Sequence, residues 1–333
     1  MRILQVNSAE TLGGGETHVL ELTEFLRSRG HQVTVAGRPG GAVQPTVQFP
    51  FRNSADIFTA LQLRRFLQQN PFDIVHAHVA RDYTVVAAAV WGLPVKLVCT
   101  RHLLYPVRRN PLYRRVDGWI APTAQMLKTV QPLRPRRTAV IPNWVDLKKY
   151  SYSPHPVHHP ITLGLLGQIA AHKGHEDAIE ALRQLGSGYR LIVGGKGKDE
   201  YLARLREQCG NLPVEFLGFV EFQDFFKQVD ILLVPSWEEP FGIVLLEAMA
   251  AGAPVISTSA GGPLEIIVHG ESGILVPAKN PNALAEAIRS LAGSESIRAD
   301  IAKHARTRVE TKFDIQNVVP MIEAFYKKVF NAL

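Results

Sequence analysis

Cysteine is scarce: the 333 residues contain two, Cys99 and Cys209, far apart in apolar or helical surroundings. No Cys–His spacing of a structural zinc site accompanies them. A disulfide framework is therefore excluded, and a reducing, cytoplasmic setting is expected. Long apolar runs are missing as well. None approaches the roughly 20 residues of a spanning helix, and the opening M-R-I-L-Q-V-N reads as a strand rather than a signal peptide. There is no D-x-D triplet, so a carboxylate-bound divalent metal is not expected. The dinucleotide fingerprint G-x-G-x-x-G is absent too. In the loop at 13–16 His18 stands where the last glycine belongs, and in the G-G-K-G turn at 194–197 Glu200 does. This disfavours a dehydrogenase. No recognisable nucleic-acid-binding motif occurs.

What is present is ordinary for a globular chain: 46% hydrophobic and 20% charged residues, and a length that suggests two domains. Charge is unevenly spread. Residues 1–150 carry 20 Lys and Arg against 9 Asp and Glu, and residues 151–333 carry 17 against 21. Solvated surface charge is the bland reading. The alternative is an anionic acceptor or an anionic membrane surface near the first half.

Strand and helix patterns alternate along both halves, which predicts an α/β protein of two doubly wound, Rossmann-like domains. Residues 2–7 form an apolar strand, 8–15 a glycine-rich loop and 16–29 a helix, an opening βαβ unit. In F-D-I-V-H-A-H the alternation places His76 and His78 on one face of a strand. Two such histidines could ligate zinc, but no third ligand of suitable spacing accompanies them. His102 follows the strand 95–100, on the side where ligands bind. Residues 103–115 interleave Arg108, Arg109, Arg114 and Arg115 with Tyr105 and Tyr113. Such a loop would present arginines to a phosphate, a carboxylate or lipid headgroups. The Pro- and His-rich stretch 151–160 reads as an inter-domain linker. A second βαβ unit then opens at 161. The segment 315–329 has Val318, Ile322, Phe325 and Tyr326 at helical spacing, which is core-type packing.

The most informative stretch is 235–252, P-S-W-E-E-P-F-G-I-V-L-L-E-A-M-A-A-G. It breaks a short buried strand at a turn and becomes an apolar helix, stopped by Gly252 and Pro254. A strand handing over to a helix is where open α/β sheets bind ligands. The free N–H groups of Gly242, Ile243 and Val244, with the positive end of the helix dipole, suit a phosphate. Glu247 falls among apolar residues one turn into the helix and could reach hydroxyls of a nucleotide. Glu239 would then face the group on the distal phosphate.

This segment resembles the donor-site signature, E-x7-E, of retaining glycosyltransferases with the GT-B fold. More narrowly it is similar to the large bacterial family of mannosyl-, glucosyl- and N-acetylglucosaminyltransferases of envelope glycans. The resemblance extends over nearly the whole chain. It implies an N-terminal acceptor domain of residues 1–150 with 315–333, and a donor domain of 151–314. The two would face a central cleft, with the last helix crossing back to the first domain. Gly14 and Gly15 of the G-G-G-E loop would admit donor phosphates or acceptor, unless they serve only a tight turn. His78 borders the cleft, and His102 touches hydroxyls of the transferred sugar, unless it is a surface histidine. Phe219 and Val220 meet the nucleobase, and Phe241 belongs to the donor motif. The family pattern G-R-x-x-x-x-K-G is matched by Lys173, but Gln168 replaces the arginine that helps neutralise the diphosphate. Similarly, Trp144 replaces the glycine of I-P-N-G-V-D.

The expected reaction moves a sugar from a UDP- or GDP-sugar to an acceptor hydroxyl with retention. No metal or other cofactor takes part, and the leaving phosphate accepts the proton. The acceptor would be a glycan or lipid-linked and possibly anionic molecule, met at the inner face of a membrane. Rivals are a nucleotide-sugar epimerase or hydrolase, and a non-catalytic nucleotide- or glycan-binding module.

Overall fold

The computed structural model describes residues 1–11, 13–153 and 158–332. These divide into two compact units. Unit one comprises Met1–Asn143 and the chain from Gln316 onward, and unit two comprises Trp144–Ile315.

The sheet of unit one has seven strands: β1 (Arg2–Val6), β2 (Gln32–Gly37), β3 (Val47–Gln48), β4 (Ile74–Ala77), β5 (Lys96–Thr100), β6 (Gly118–Ala121) and β7 (Thr138–Val140). Their order is 3-2-1-4-5-6-7, with every pair parallel. Parallel strands between helices are buried on both faces, which is why β4 and β6 show no exposed position. The helices are α1 (Gly14–Ser28), α2 (Ile57–Gln69), α3 (Asp82–Ala89) and α4 (Ala124–Lys128). Asp56 caps α2 by accepting from the Thr59 N–H at 3.0 Å, and Thr123 caps α4 through Met126 at 3.1 Å. Beneath them Trp119 meets Tyr83 edge to face, ring centres 5.2 Å apart.

Unit two repeats the plan. Its strands are β8 (Ile161–Leu166), β9 (Tyr189–Gly194), β10 (Val214–Gly218), β11 (Ile231–Val234), β12 (Val255–Thr258) and β13 (Ile274–Val276), in the order 10-9-8-11-12-13, all parallel. Around them lie α5 (His175–Leu185), α6 (Asp199–Cys209), α7 (Phe222–Phe226), α8 (Ile243–Ala251), α9 (Pro263–Ile266), α10 (Pro281–Ala292) and α11 (Glu295–Lys312). Each sheet reverses its winding once, between β1 and β4 and between β8 and β11. Ligand sites of open α/β sheets lie outside the carboxyl ends of the strands at such reversals.

The final helix, α12 (Ile315–Phe330), returns to unit one. Val318, Ile322, Phe325, Tyr326 and Val329 are its buried stripe. It lies so close to β6 that a Cβ on Gly118 would sit 2.7 Å from the Phe325 ring. Its Glu323 pairs with Arg29 and His31, each at 2.8 Å.

Two boundaries differ from the sequence-based reading. Residues 144–150, expected in the first domain, belong to unit two. Val145 N–H donates to Phe313 O at 2.9 Å, and Val145 O accepts from Ile315 at 3.0 Å. Trp144, which replaces the glycine of I-P-N-G-V-D, is buried there. The 151–160 segment is not a free linker where it is described. Ser153 N–H donates to Ala251 O, and Asp230 accepts from the His158 N–H at 3.0 Å with its ring Nδ1 at 2.9 Å. Its central part, 154–157, lies outside the described residues.

Candidate active site

In unit two the loops after β8, β11 and β12 touch backbone to backbone. Lys173 ends a short 3-10 turn, Ala171–Lys173, closed by Gly174 at φ +71°. A Cβ on Gly174 would fall 2.0 Å from Pro235 O, so no other residue fits. Trp237 N–H donates to His172 O at 2.8 Å. Glu239 donates to Ala260 O at 3.1 Å and accepts from the Gly262 N–H at 2.8 Å. These bonds hold the Glu239 backbone on both sides.

The result is a contact between two residues 66 positions apart: Lys173 Nζ lies 2.7 Å from Glu239 Oε2. Ser236 Oγ donates to the same oxygen at 3.1 Å. The carboxylate is nearly buried, while the lysine side chain keeps 25% of its surface exposed. Alongside, Trp237 Nε1 donates to Asp177 at 2.8 Å, and the Lys279 ammonium sits 4.6 Å from the Trp237 ring centre. Burial raises the Asp177 carboxyl above its usual value, with the Trp237 hydrogen bond opposing. Burial also drives His175, at the start of α5, down to about 4.

Gly242, at φ +99°, caps α8, and a Cβ there would lie 3.4 Å from Glu239 Cγ. The helix start and the Lys173–Glu239 pair are thus one site. By helix geometry the N–H groups of Ile243 and Val244 have no intrahelical acceptor. Phe241 is buried behind the turn and meets Phe313 edge to face. Glu247, half-buried one turn on, accepts from Tyr150 OH at 3.0 Å. Arg306 on α11 secures that neighbourhood by donating to Tyr150 O and to Ala250 O.

Gln168 is exposed just past β8. Gly167 N–H donates to Gly194 O, Ile169 N–H to Lys196 O and Gly195 N–H to Gly218 O, which laces the loops after β8, β9 and β10 together. Phe219 projects from the last of these loops at 72% exposure, with Lys196 Nζ 5.7 Å from its ring centre. Val220 turns inward against Gly194.

In unit one four histidines gather at the sheet's reversal. His18 comes from α1, His76 from β4, His78 from just beyond β4, and His102 from beyond β5. Ring centres are 4.0 Å apart for His76–His78, 5.6 Å for His18–His102 and 6.3 Å for the stacked pair His78–His102. Burial, reinforced by mutual repulsion, holds His18, His76 and His78 well below the ordinary imidazole range. His102 is pushed down to about 4 by burial and by Arg101. Among the described residues no group of three or more His, Cys, Asp or Glu is placed to hold a metal ion. Gly14 and Gly15 open α1, and a Cβ on Gly15 would meet nothing within 4 Å.

The arginines of 103–115 divide. Arg108, Arg109 and Arg114 are exposed. Arg115 departs from the expectation of a ligand-facing residue. Its guanidinium turns inward to Asp117 at 2.5 Å and to the carbonyls of Val90, Leu93 and Val95. Three buried peptide acceptors and a carboxylate outcompete solvent for it.

Several residues of these sites escaped the sequence-based reading. His18 registered only as a failed glycine, Tyr326 only as core, and Gln5 and Tyr150 not at all. A tyrosine within an otherwise apolar helical stripe was the one available signal for Tyr326, since a buried phenol needs a partner.

Two family models align with the chain: Glycosyltransferase Family 4 over residues 12–149 and Glycosyl transferases group 1 over 153–308. The chain belongs to this family of GT-B glycosyltransferases. Relatives include the phosphatidyl-myo-inositol mannosyltransferase of Mycolicibacterium smegmatis, 26% identical over 98% of this chain and 92% of its own length. The lipopolysaccharide core biosynthesis glycosyltransferase LpsE of Rhizobium meliloti is 26% identical over 90% and 92%. An uncharacterised glycosyltransferase of Methanocaldococcus jannaschii reaches 36% identity, but this chain spans only 43% of its length. Anabaena HepE, solved in complex with UDP and glucose, shares the fold at a TM-score of 0.86 and 22% identity, over 98% of this chain and 100% of HepE. Among the described residues no helix is long and apolar enough to cross a membrane.

Proposed function

We propose that this glycosyltransferase moves a hexose from a UDP- or GDP-sugar to an acceptor hydroxyl, with retained configuration, in the synthesis of an envelope glycan. The observation that carries the reading is the joining of Lys173, Glu239 and the α8 start into one site at the reversal of the unit-two sheet. The diphosphate lies on the N–H groups of Ile243 and Val244, where the helix dipole favours anions. Lys173 leaves Glu239 to meet the phosphates. Glu239, so released, faces the transferred sugar. Gln168 adds a neutral donor where a charge would be usual. Glu247, oriented by Tyr150, takes hydroxyls of the nucleotide's ribose, and Phe219 with Val220 borders the base.

Bond breaking at the anomeric carbon puts negative charge on the departing phosphate, and that charge is what the lysine and amides stabilise. The departing phosphate oxygen takes the acceptor's proton. No metal is needed for this. In unit one His102 and His78 contact sugar and acceptor hydroxyls, and the start of α1 at Gly14 and Gly15 leaves room for them. Arg108, Arg109 and Arg114 engage an anionic acceptor or headgroups at the cytoplasmic face of a membrane. Support for the donor and pathway comes from the relatives: HepE is solved with UDP-glucose, and LpsE is named for lipopolysaccharide core biosynthesis.

The test is a thermal-shift panel of nucleoside diphosphates and nucleotide sugars, because a ligand of the folded state raises its midpoint. A panel that shifts nothing sinks the reading. Turnover of donor at full rate without any acceptor would instead mark a hydrolase. Glu247→Ala is expected to weaken nucleotide binding about tenfold, the loss of a charged hydrogen bond; unchanged affinity by calorimetry removes Glu247 from the site. Transfer is expected to continue undiminished in EDTA, and metal-restored activity after chelation would contradict the lysine-based scheme.

A further inference from the structure

A buried relay of hydrogen bonds runs beneath the histidine cluster. Tyr326 OH lies 2.6 Å from His76 Nδ1 and 3.4 Å from Gln5 Nε2. His76 Nε2 lies 2.7 Å from Thr100 Oγ1, and Gln5 Oε1 lies 2.7 Å from His78 Nε2. None of the five residues exceeds 3% exposure. With no solvent to arbitrate, each proton has one place to go. An amide nitrogen only donates, so Gln5 Nε2 gives its proton to the phenol oxygen. The phenol's single proton then goes to His76 Nδ1, and His76 donates from Nε2 to Thr100. The amide oxygen of Gln5 only accepts, so His78 must carry its proton on Nε2. A neutral imidazole has one N–H, which leaves Nδ1 of His78 bare.

That nitrogen is buried and has no partner, and the same holds for Nε2 of His102, on the ring stacked 6.3 Å away. Unsatisfied buried acceptors are costly, and they persist where a ligand completes them. Both residues lie just past the carboxyl ends of β4 and β5, beside the reversal of the unit-one sheet. We propose that Gln5 and Tyr326 are positioning residues that lock His78 as the Nε2–H tautomer, so that its bare Nδ1 accepts a hydrogen bond from a hydroxyl of the sugar or acceptor bound by unit one. The tautomer stands independently; the ligand's identity rests on the transferase reading.

The opposite polarity is the rival. Were the Gln5 amide reversed, every proton in the relay would shift along, and Nδ1 of His78 would be a donor. Nitrogen-15 NMR of the histidine-labelled full chain, without ligand, separates the two. The expected result is protonated Nε2 and bare Nδ1 at His78, with the preference lost in Gln5→Met. A protonated Nδ1 overturns the proposal.

The second arm substitutes the ring. An asparagine amide reproduces the position of Nδ1 and a glutamine amide that of Nε2. His78→Gln should keep the bond to Gln5 and lose the ligand contact. His78→Asn should keep the ligand contact. With UDP-glucose as donor and methyl α-glucoside or water as acceptor, His78→Asn is expected to exceed His78→Gln about tenfold in kcat/KM, at equal thermal midpoints. A difference in the KM for methyl α-glucoside assigns the hydroxyl to the acceptor, and one in the KM for UDP-glucose assigns it to the transferred sugar. Equal kinetics for the two variants overturn the ligand contact. If no nucleoside diphosphate binds the wild type at all, the transferase reading fails, and the NMR result still decides the tautomer.

Discussion

Lys173→Ala is expected to lower turnover by about two to three orders of magnitude without unfolding the protein. Removing one preorganised donor from a site of developing charge costs about 3–4 kcal/mol of transition-state stabilisation. Two features put Lys173 at the strong end. In the proposed reaction Gln168 brings no charge, so the leaving diphosphate would lack the second cation of the G-R-x-x-x-x-K-G pattern. In addition, Lys173 is held 2.7 Å from Glu239, which lies under the α8 start. Truncating it leaves a nearly buried carboxylate with the Ser236 hydroxyl but, among the described residues, without its ion-pair partner. Donor affinity should therefore fall together with kcat, since an unscreened carboxylate then faces the phosphates. Gln168→Arg in the Lys173→Ala background should recover part of the loss by restoring one positive charge. The lysine side chain is partly exposed, so water can take part of its place, but the carboxylate left behind is nearly buried, so the midpoint should fall while the fold is retained. Turnover near the wild-type value at saturating donor would remove Lys173 from the chemistry.

Stability is expected to collapse between about pH 6.5 and 4, from the histidines rather than from the surface charges. His18, His76, His78, His102 and His175 all have folded-state values below the ordinary 6.5 because burial disfavours the imidazolium. A depressed value means that the unfolded chain binds the proton more readily. The contribution of each is therefore fully present above 6.5 and is lost as pH falls toward the folded value. For His175, buried and at about 4, the loss by pH 4 is on the order of 3 kcal/mol. Glu323 and Asp56, lowered by their partners, act in the same direction at more acidic pH. Asp82 opposes them. Burial raises it to about 6 although Ser8 donates to it, so it is more easily protonated in the fold, and acid spares it. Four of the five histidines lie in unit one, so that unit should unfold first. Thermal midpoints recorded from pH 8 to pH 4 check this. A flat profile across pH 6 would contradict the buried neutral cluster, and His76→Phe should flatten it in part.

The architecture was legible in the sequence because it rests on local physics. Alternating apolar runs and helical stripes arise from the periods of strand and helix, and the long 235–252 motif marks one strand-to-helix handover unaided. The same logic placed His76 and His78 on one face, where their rings are indeed 4.0 Å apart. It also placed Gly242 at the start of α8. Where the reading missed, the deciding contact was remote. Arg114 and Arg115 are neighbours in one 3-10 helix, Pro111–Arg115, yet one is exposed and the other is bound by carbonyls from residues 90, 93 and 95. Trp144 was a puzzle in isolation, and the backbone bonding of Val145 to Phe313 and Ile315 shows why that stretch belongs to unit two.

The amino-acid order alone therefore determined the two doubly wound halves, the loop that turns into α8 and the residue types available for chemistry. Only the tertiary structure decided which of those residues meet. Lys173 and Glu239 are joined because the loops after β8 and β11 adjoin at the reversal of the second sheet. Tyr326 reaches His76 across 250 positions because α12 returns to the first unit. Periodicity acts over a few residues, whereas proton position and charge pairing depend on which loop ends the sheet order brings side by side.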